Sequence, residues 1–277
     1  MKKKQTPFVE RDPPKVTVAP SICPLVSESI LDTLTDDVLE LHEALQWFEL
    51  ENCKFSVHLS TDVFCFQEDR PFGATIDRDE LSRFLEGDSL EICIIQTFMV
   101  CLKEKLVELG RDDIGFLCPH LCSSEHYKLD KKGTMTYLKH ALIKSFEKSF
   151  IFLPYHEGYH WILLVICPMI DKGYIFDSIS SSSISIQRDL TTMYRVASAQ
   201  KGSGKPIKWN SVKVAQQTGS TECGYYVMRF MWEIISYSEN HDIGKVWRSR
   251  SEPYTLAEFN DIRNIWSRYF LDVVLQS

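Results

Sequence analysis

The chain has 277 residues, is 44% hydrophobic and carries a formal net charge of -7, enough apolar material for one sizeable core or two small ones. The acidic balance argues against broad attachment to nucleic acid, which needs concentrated Lys and Arg, and no stretch approaches the ~18 consecutive apolar residues of a membrane span. Nine cysteines, an odd number at irregular spacing, read as reduced thiols rather than a disulfide framework; with no apolar signal core after Met1-Lys2-Lys3-Lys4, the expected setting is the nucleus or cytoplasm.

Residues 1–26 are rich in Lys, Pro and Thr and include Pro13-Pro14, so they read as a flexible lead. Within 27–50, Leu31, Leu34, Val38, Leu41, Leu45 and Phe48 recur at steps of three and four, the pattern of an accessory amphipathic helix. Such a helix docks on its own domain or, less commonly, dimerises. Residues 51–277 then form one domain. Phe55 to Phe66 alternates in part and predicts a strand or hairpin. A helix is predicted from a cap at Asp88 or Ser89 through Ile92, Ile95, Met99 and Leu102 to a stop at Gly110, and another from Thr134 to Phe146.

Phe150 to Leu153 reads as a strand bounded by Pro154, and the apolar run Trp161 to Ile166 as a strand buried on both faces. Gly173 to Asp177 is its expected hairpin partner across the turn Met169 to Lys172. Antiparallel pairing then brings the start of one strand, His160, to the end of the other, Asp177. Ile186 to Ala199 predicts a surface helix, Trp209 to Val214 a strand, and Cys223 the start of a helix almost apolar all round. Thr255-Leu256-Ala257-Glu258 fits a capping box opening a last helix to about Leu275.

The stretch from Gln216 to Gly224 gives this order a chemical meaning. A thiol at a helix mouth gains from the partial positive charge there, and a nearby imidazolium adds to it. His160 is the candidate base, Asp177 the group that fixes its tautomer, and Cys223 the nucleophile. The backbone N–H of Cys223 and the amide of Gln217 are candidate oxyanion donors, and Gly224 would leave the approach to sulfur open. Taken singly, a helix-start cysteine is usually a packed thiol and a strand-end histidine a hydrogen-bonded one; taken together, the set points to cysteine-dependent acyl transfer.

The His160-Trp161, Asp177, Gln216-Gln217 and Cys223-Gly224 order resembles the sentrin-specific, or ubiquitin-like-protein-specific, family of cysteine proteases. The spacings agree: 17 positions separate His160 from Asp177 and 6 separate Gln217 from Cys223. The resemblance implies an α+β, papain-like fold in permuted order with the nucleophile last, a mixed or antiparallel central sheet flanked by helices, and cleavage after the Gly-Gly end of SUMO or a related ubiquitin-like modifier. It implies no cofactor and no metal. Expected partners are the modifier and its conjugates, with no nucleic acid or membrane, and the chain itself is expected to be monomeric. Trp161, Gln216 and Gly224 fall on the substrate side, Trp161 covering a tunnel that only a diglycine tail threads.

Two positions depart from the family pattern. Ser89-Leu90-Glu91-Ile92 stands where Trp-Leu-Asn-Asp often opens an early helix, and Glu222 replaces the usual Asp before the nucleophile. The run from Ser89 to Gln96 looks like the divergent plant branch, many of whose members are carried by transposable elements. Two other readings follow: an idle family member that grips a modifier or partner without turnover, and a Cys/His acyltransferase, which would need an anionic cofactor site that the scattered Lys201, Lys205 and Lys208 do not build. Cys118, His120, Cys122 and His126 are four further potential zinc ligands, too tightly bunched for a tetrahedral ion.

Overall fold

The computed structural model describes residues 25–46, 54–67, 72–180, 184–237, 243–247 and 249–275. Of the lead expected over 1–26, residues 1–24 lie outside the described residues, as do 47–50 of the accessory segment; Leu25 and Val26 are packed into the core. The amphipathic stretch is divided between a single turn α1 (Glu28–Leu31) and helix α2 (Asp36–Leu45), which buries Val38, Leu41, His42 and Leu45. That apolar stripe faces the chain's own last helix.

Strand β1 (Lys54–Leu59) leads into a single turn α3 (Thr61–Phe64) and pairs with β2 (Phe72–Asp77), so the expected strand holds but its hairpin partner lies further on. Helix α4 (Arg78–Glu86) follows, opened by a capping box between Asp77 and Glu80 and closed by Gly87 at φ 76°. Helix α5 (Ile92–Glu108) starts later than Asp88 or Ser89, with Glu91 at its N-cap, and ends before Gly110 at φ 67°. Short strand β3 (Ile114–Phe116), turns α6 (Pro119–Cys122) and α7 (Ser124–Leu129), and helix α8 (Lys131–Lys144) come next.

The main sheet runs through β4 (Phe150–Glu157), β5 (His160–Cys167), β6 (Lys172–Phe176) and, after helix α9 (Gln187–Gln200), β7 (Lys208–Ser211). Its order is β3-β4-β5-β6-β7, parallel at both edges and antiparallel in the middle. Strand β4 continues through Pro154 instead of stopping there. The edge strand β3 pairs only with Phe150 to Phe152, so beyond it the proline's missing N–H is not needed on that side.

Helix α10 (Cys223–Tyr237) lies on β5 and against α5 and α12 (Leu256–Tyr269), which follows a turn α11 (Ile243–Val246). The expected capping box between Thr255 and Glu258 opens α12, and a π-turn over Phe270–Val274 ends it. Trp266 of α12 is fully buried, with its ring 4.3 Å from Phe84 and its indole N–H donating to the Ile94 carbonyl at 3.0 Å. Arg263 closes the end of α4 by donating to the carbonyls of Phe84 and Leu85. Helix α2 docks on α12: Asn264 accepts from the Val38 N–H at 3.3 Å, and Arg268 pairs with Asp37 and Glu40. These exposed pairs add little, whereas burying Leu41 and Leu45 is worth ~1.5–3 kcal/mol each.

Candidate active site

Strands β5 and β6 pair in the register Leu163 with Phe176, so the chain leaves the ladder at Asp177 alongside His160, the first residue of β5. His160 Nε2 donates to Asp177 Oδ1 at 2.7 Å, and the Ile179 N–H reaches the same oxygen at 3.0 Å. Both side chains are largely enclosed, at 17% and 10% exposure. Burial opposes charging the ring, but the hydrogen bond and charge of Asp177, together with Cys223, outweigh it and push His160 up to about 9. The other ring nitrogen, Nδ1, is buried and makes no hydrogen bond within the usual distance. Cys223 nevertheless favours the charged ring, which places its thiol close to the imidazole.

Cys223 is the first residue of α10 and is 2% exposed. Its sulfur lies 4.0 Å from the carbonyl oxygen of Tyr159, the residue before His160, which sets the thiol beside the imidazole. The helix start supplies unsatisfied N–H groups and partial positive charge at the sulfur. Gly224, which the sequence reading puts on the substrate side, has its α-carbon against Leu90. A Cβ there would stand 2.9 Å from the Leu90 Cβ, so glycine is needed for the helix to approach the loop before α5. Leu90 also accepts the indole N–H of Trp161 at 2.9 Å. Trp161 is buried, with the His156 ring 4.7 Å away, so the segment that departs from the family motif still walls the site through Leu90.

The two glutamines behave differently. Gln216 is tied inward: its Nε2 donates to the carbonyls of Asp177 and Val214, both at 3.1 Å, and its Oε1 accepts from the Ser180 hydroxyl at 3.1 Å. Its amide braces the turn after β6. Its backbone carbonyl accepts from the Tyr226 hydroxyl of α10 at 3.3 Å. Gln217 Oε1 accepts from the Ser178 hydroxyl at 2.6 Å while its Nε2 donates to the Gly219 carbonyl at 3.0 Å, on the loop leading to Cys223. Tyr159, Leu90 and Ser178 were not singled out from the sequence. Only adjacency to His160 and Asp177 could have drawn attention to the first and third.

Among the described residues, no group of three or more His, Cys, Asp or Glu side chains is arranged to hold a metal ion. Burial pushes the Cys118 thiol up to about 11 and raises Cys122 as well, and Gln96 donates to the Cys118 sulfur at 3.4 Å; both are packed thiols. The described cysteines are all free, and no described helix is long and apolar enough to cross a membrane.

Comparison with curated protein sequences finds no match. Among solved structures, the chain is similar to the SUMO protease Ulp1 with its catalytic cysteine oxidised to a sulfenic acid, at TM-score 0.56 and 16% identity, over 86% of this chain and 96% of that one. It is similar at TM-score 0.54 and 13% identity to a de-sumoylating protease, over 80% of this chain and 93% of the other. The C-terminal Ulp1 protease domain in complex with Smt3, the yeast ortholog of SUMO, matches at TM-score 0.54 and 15% identity, over 86% of this chain and 96% of that domain. These likenesses show the fold: papain-like and α+β, helices around a mixed sheet. The model of the Ulp1 protease family's C-terminal catalytic domain matches residues 122–270, more than half of the chain and the whole span from His160 to Cys223. This chain thus belongs to the Ulp1 family of ubiquitin-like-protein-specific cysteine proteases.

Proposed function

We propose that this protein is a cysteine peptidase that cleaves the peptide or isopeptide bond after the Gly-Gly end of a ubiquitin-like modifier, with SUMO the first candidate. One observation carries the reading: a histidine held by a carboxylate on one ring nitrogen, unpartnered on the other, beside a cysteine that opens a buried helix. That arrangement costs a polar group its hydrogen bond, and catalysis is a physical reason for leaving it open. The SUMO-processing relatives favour the modifier.

In this mechanism His160 takes the proton of the Cys223 thiol as the sulfur attacks, and Asp177 keeps the resulting imidazolium charged and oriented. The attack falls on the carbonyl of the last glycine, while the Cys223 N–H and Gln217 Nε2 receive the developing oxyanion. His160 gives its proton to the leaving amine, the C–N bond breaks and a thioester remains. Water, deprotonated by His160, then hydrolyses the thioester and restores the thiol. Trp161, fixed by its bond to Leu90, walls the channel for the tail. The C-terminal aminomethylcoumarin derivatives of SUMO, ubiquitin and other modifiers test this. Coumarin release from SUMO that disappears in Cys223→Ala is the expected result, and no release from any modifier overturns the proposal, leaving the idle binding module.

A further inference from the structure

We infer that Ser178 is a positioning residue that anchors the Gln217 amide beside the loop carrying Cys223, where the Gly219 carbonyl holds its N–H end. This rests on the proposed role of Gln217 as an oxyanion donor. A primary amide is nearly the same shape when turned end for end, yet only one of its two orientations can donate a proton to a developing oxyanion. The selection must come from its partners.

The Gly219 carbonyl, which can only accept, makes it, while the Ser178 hydroxyl, which can donate or accept, fixes where the amide sits. Gln217 Oε1 accepts from the Ser178 hydroxyl at 2.6 Å, and Nε2 donates to the Gly219 carbonyl at 3.0 Å, leaving its second N–H uncommitted by that bond. Turned over, the amide would set its oxygen against the Gly219 carbonyl oxygen, acceptor against acceptor. Gly219 is exposed, whereas Ser178 is 2% exposed, so the buried anchor of the amide is at Ser178. The backbone at Ser178 is pinned as well, because its carbonyl accepts from the Gln217 N–H at 3.0 Å. Ser178 directly follows Asp177, whose own carbonyl is held by Gln216. One turn thereby sets both the carboxylate that orients the imidazole and the amide that meets the oxyanion, and no sequence motif announces the second task.

The test is a double-mutant cycle on the full chain with SUMO bearing a C-terminal aminomethylcoumarin, alongside alkylation of Cys223 by iodoacetamide, a reaction that needs no oxyanion donor. Ser178→Ala lowers kcat about 3- to 10-fold, the population effect of losing one neutral hydrogen bond, with KM unchanged. Gln217→Ala lowers kcat about 100-fold, and adding Ser178→Ala to it causes no further loss. The Cys223 alkylation rate stays at the wild-type level in both single variants. Full kcat in Ser178→Ala while Gln217→Ala is impaired overturns the inference alone. The same holds if the loss repeats in the Gln217→Ala background, or if alkylation slows in step with turnover, since Ser178 would then support the fold or the Cys–His pair. Full kcat in Gln217→Ala overturns the oxyanion role and the inference with it, and no turnover by the wild-type chain defeats the functional proposal on which both stand.

Discussion

Replacing Asp177 with Asn isolates the charge that the site places on its histidine. Asp177 Oδ1 meets two donors, His160 Nε2 at 2.7 Å and the Ile179 N–H at 3.0 Å, and an asparagine oxygen can accept from both. The substitution therefore keeps the orientation of the ring and removes the negative charge. His160 stands at about 9 against an ordinary 6.5, a preference for the charged ring of order ~3 kcal/mol at ~1.4 kcal/mol per pKa unit. Burial opposes that preference, and Asp177 is the larger of the two groups that produce it. Without its charge the His160 midpoint should fall by at least ~1 pH unit, or ~1.4 kcal/mol. NMR titration of the His160 ring in wild type and Asp177→Asn measures this directly. The alkaline limb of kcat/KM should move down with it, and Asp177→Ala, which also loses the orienting bond, should be slower than Asp177→Asn. A His160 midpoint still near 9 in Asp177→Asn would refute the electrostatic account.

The same elevation makes stability depend on pH. Because the folded value is raised, the contribution of His160 is fully present below 6.5 and is lost as pH rises through about 9. The urea-unfolding difference between wild type and His160→Gln should accordingly narrow across that range, and a constant gap would contradict it. Gly224→Ala sets a methyl 2.9 Å from the Leu90 Cβ, an overpacking cost of ~1–3 kcal/mol against a helix-propensity gain of up to ~1 kcal/mol. Its urea midpoint should fall, with partial recovery in the Leu90→Gly background; an unchanged midpoint would mean the loop before α5 yields freely. Leu41→Ala empties a fully buried position between α2 and the domain and should cost ~2–5 kcal/mol by the same measurement, whereas a negligible loss would mean α2 is loosely attached.

The parts of the site that lie in one continuous pattern were legible. The apolar run of β5, its hairpin with β6 and the helix opening at Cys223 follow from local periodicity, and antiparallel pairing alone carries His160 to Asp177. The capping box from Asp77 to Glu80 is equally local, but β2 before it is short and contains Gly73 and Ala74, so no strong strand pattern leads into it. What the pattern could not supply depends on contacts between distant segments. Gly224 is required by Leu90 across the fold, Gln216 turns inward because the Asp177 carbonyl waits for it, and Ser178 matters through an amide that arrives only when the loop after β7 returns to the sheet. Strand β4 passes through Pro154 for a similar reason, since where its neighbour β3 ends is a property of the sheet.

The central claim is that Cys223 attacks the C-terminal end of a SUMO-type modifier. Intact-mass spectrometry after incubation with SUMO whose last glycine is replaced by a vinyl sulfone tests it most directly. The account predicts a single adduct, one modifier per chain, mapped to Cys223 and absent from Cys223→Ala. No adduct, or an adduct of equal yield in Cys223→Ala, would contradict it.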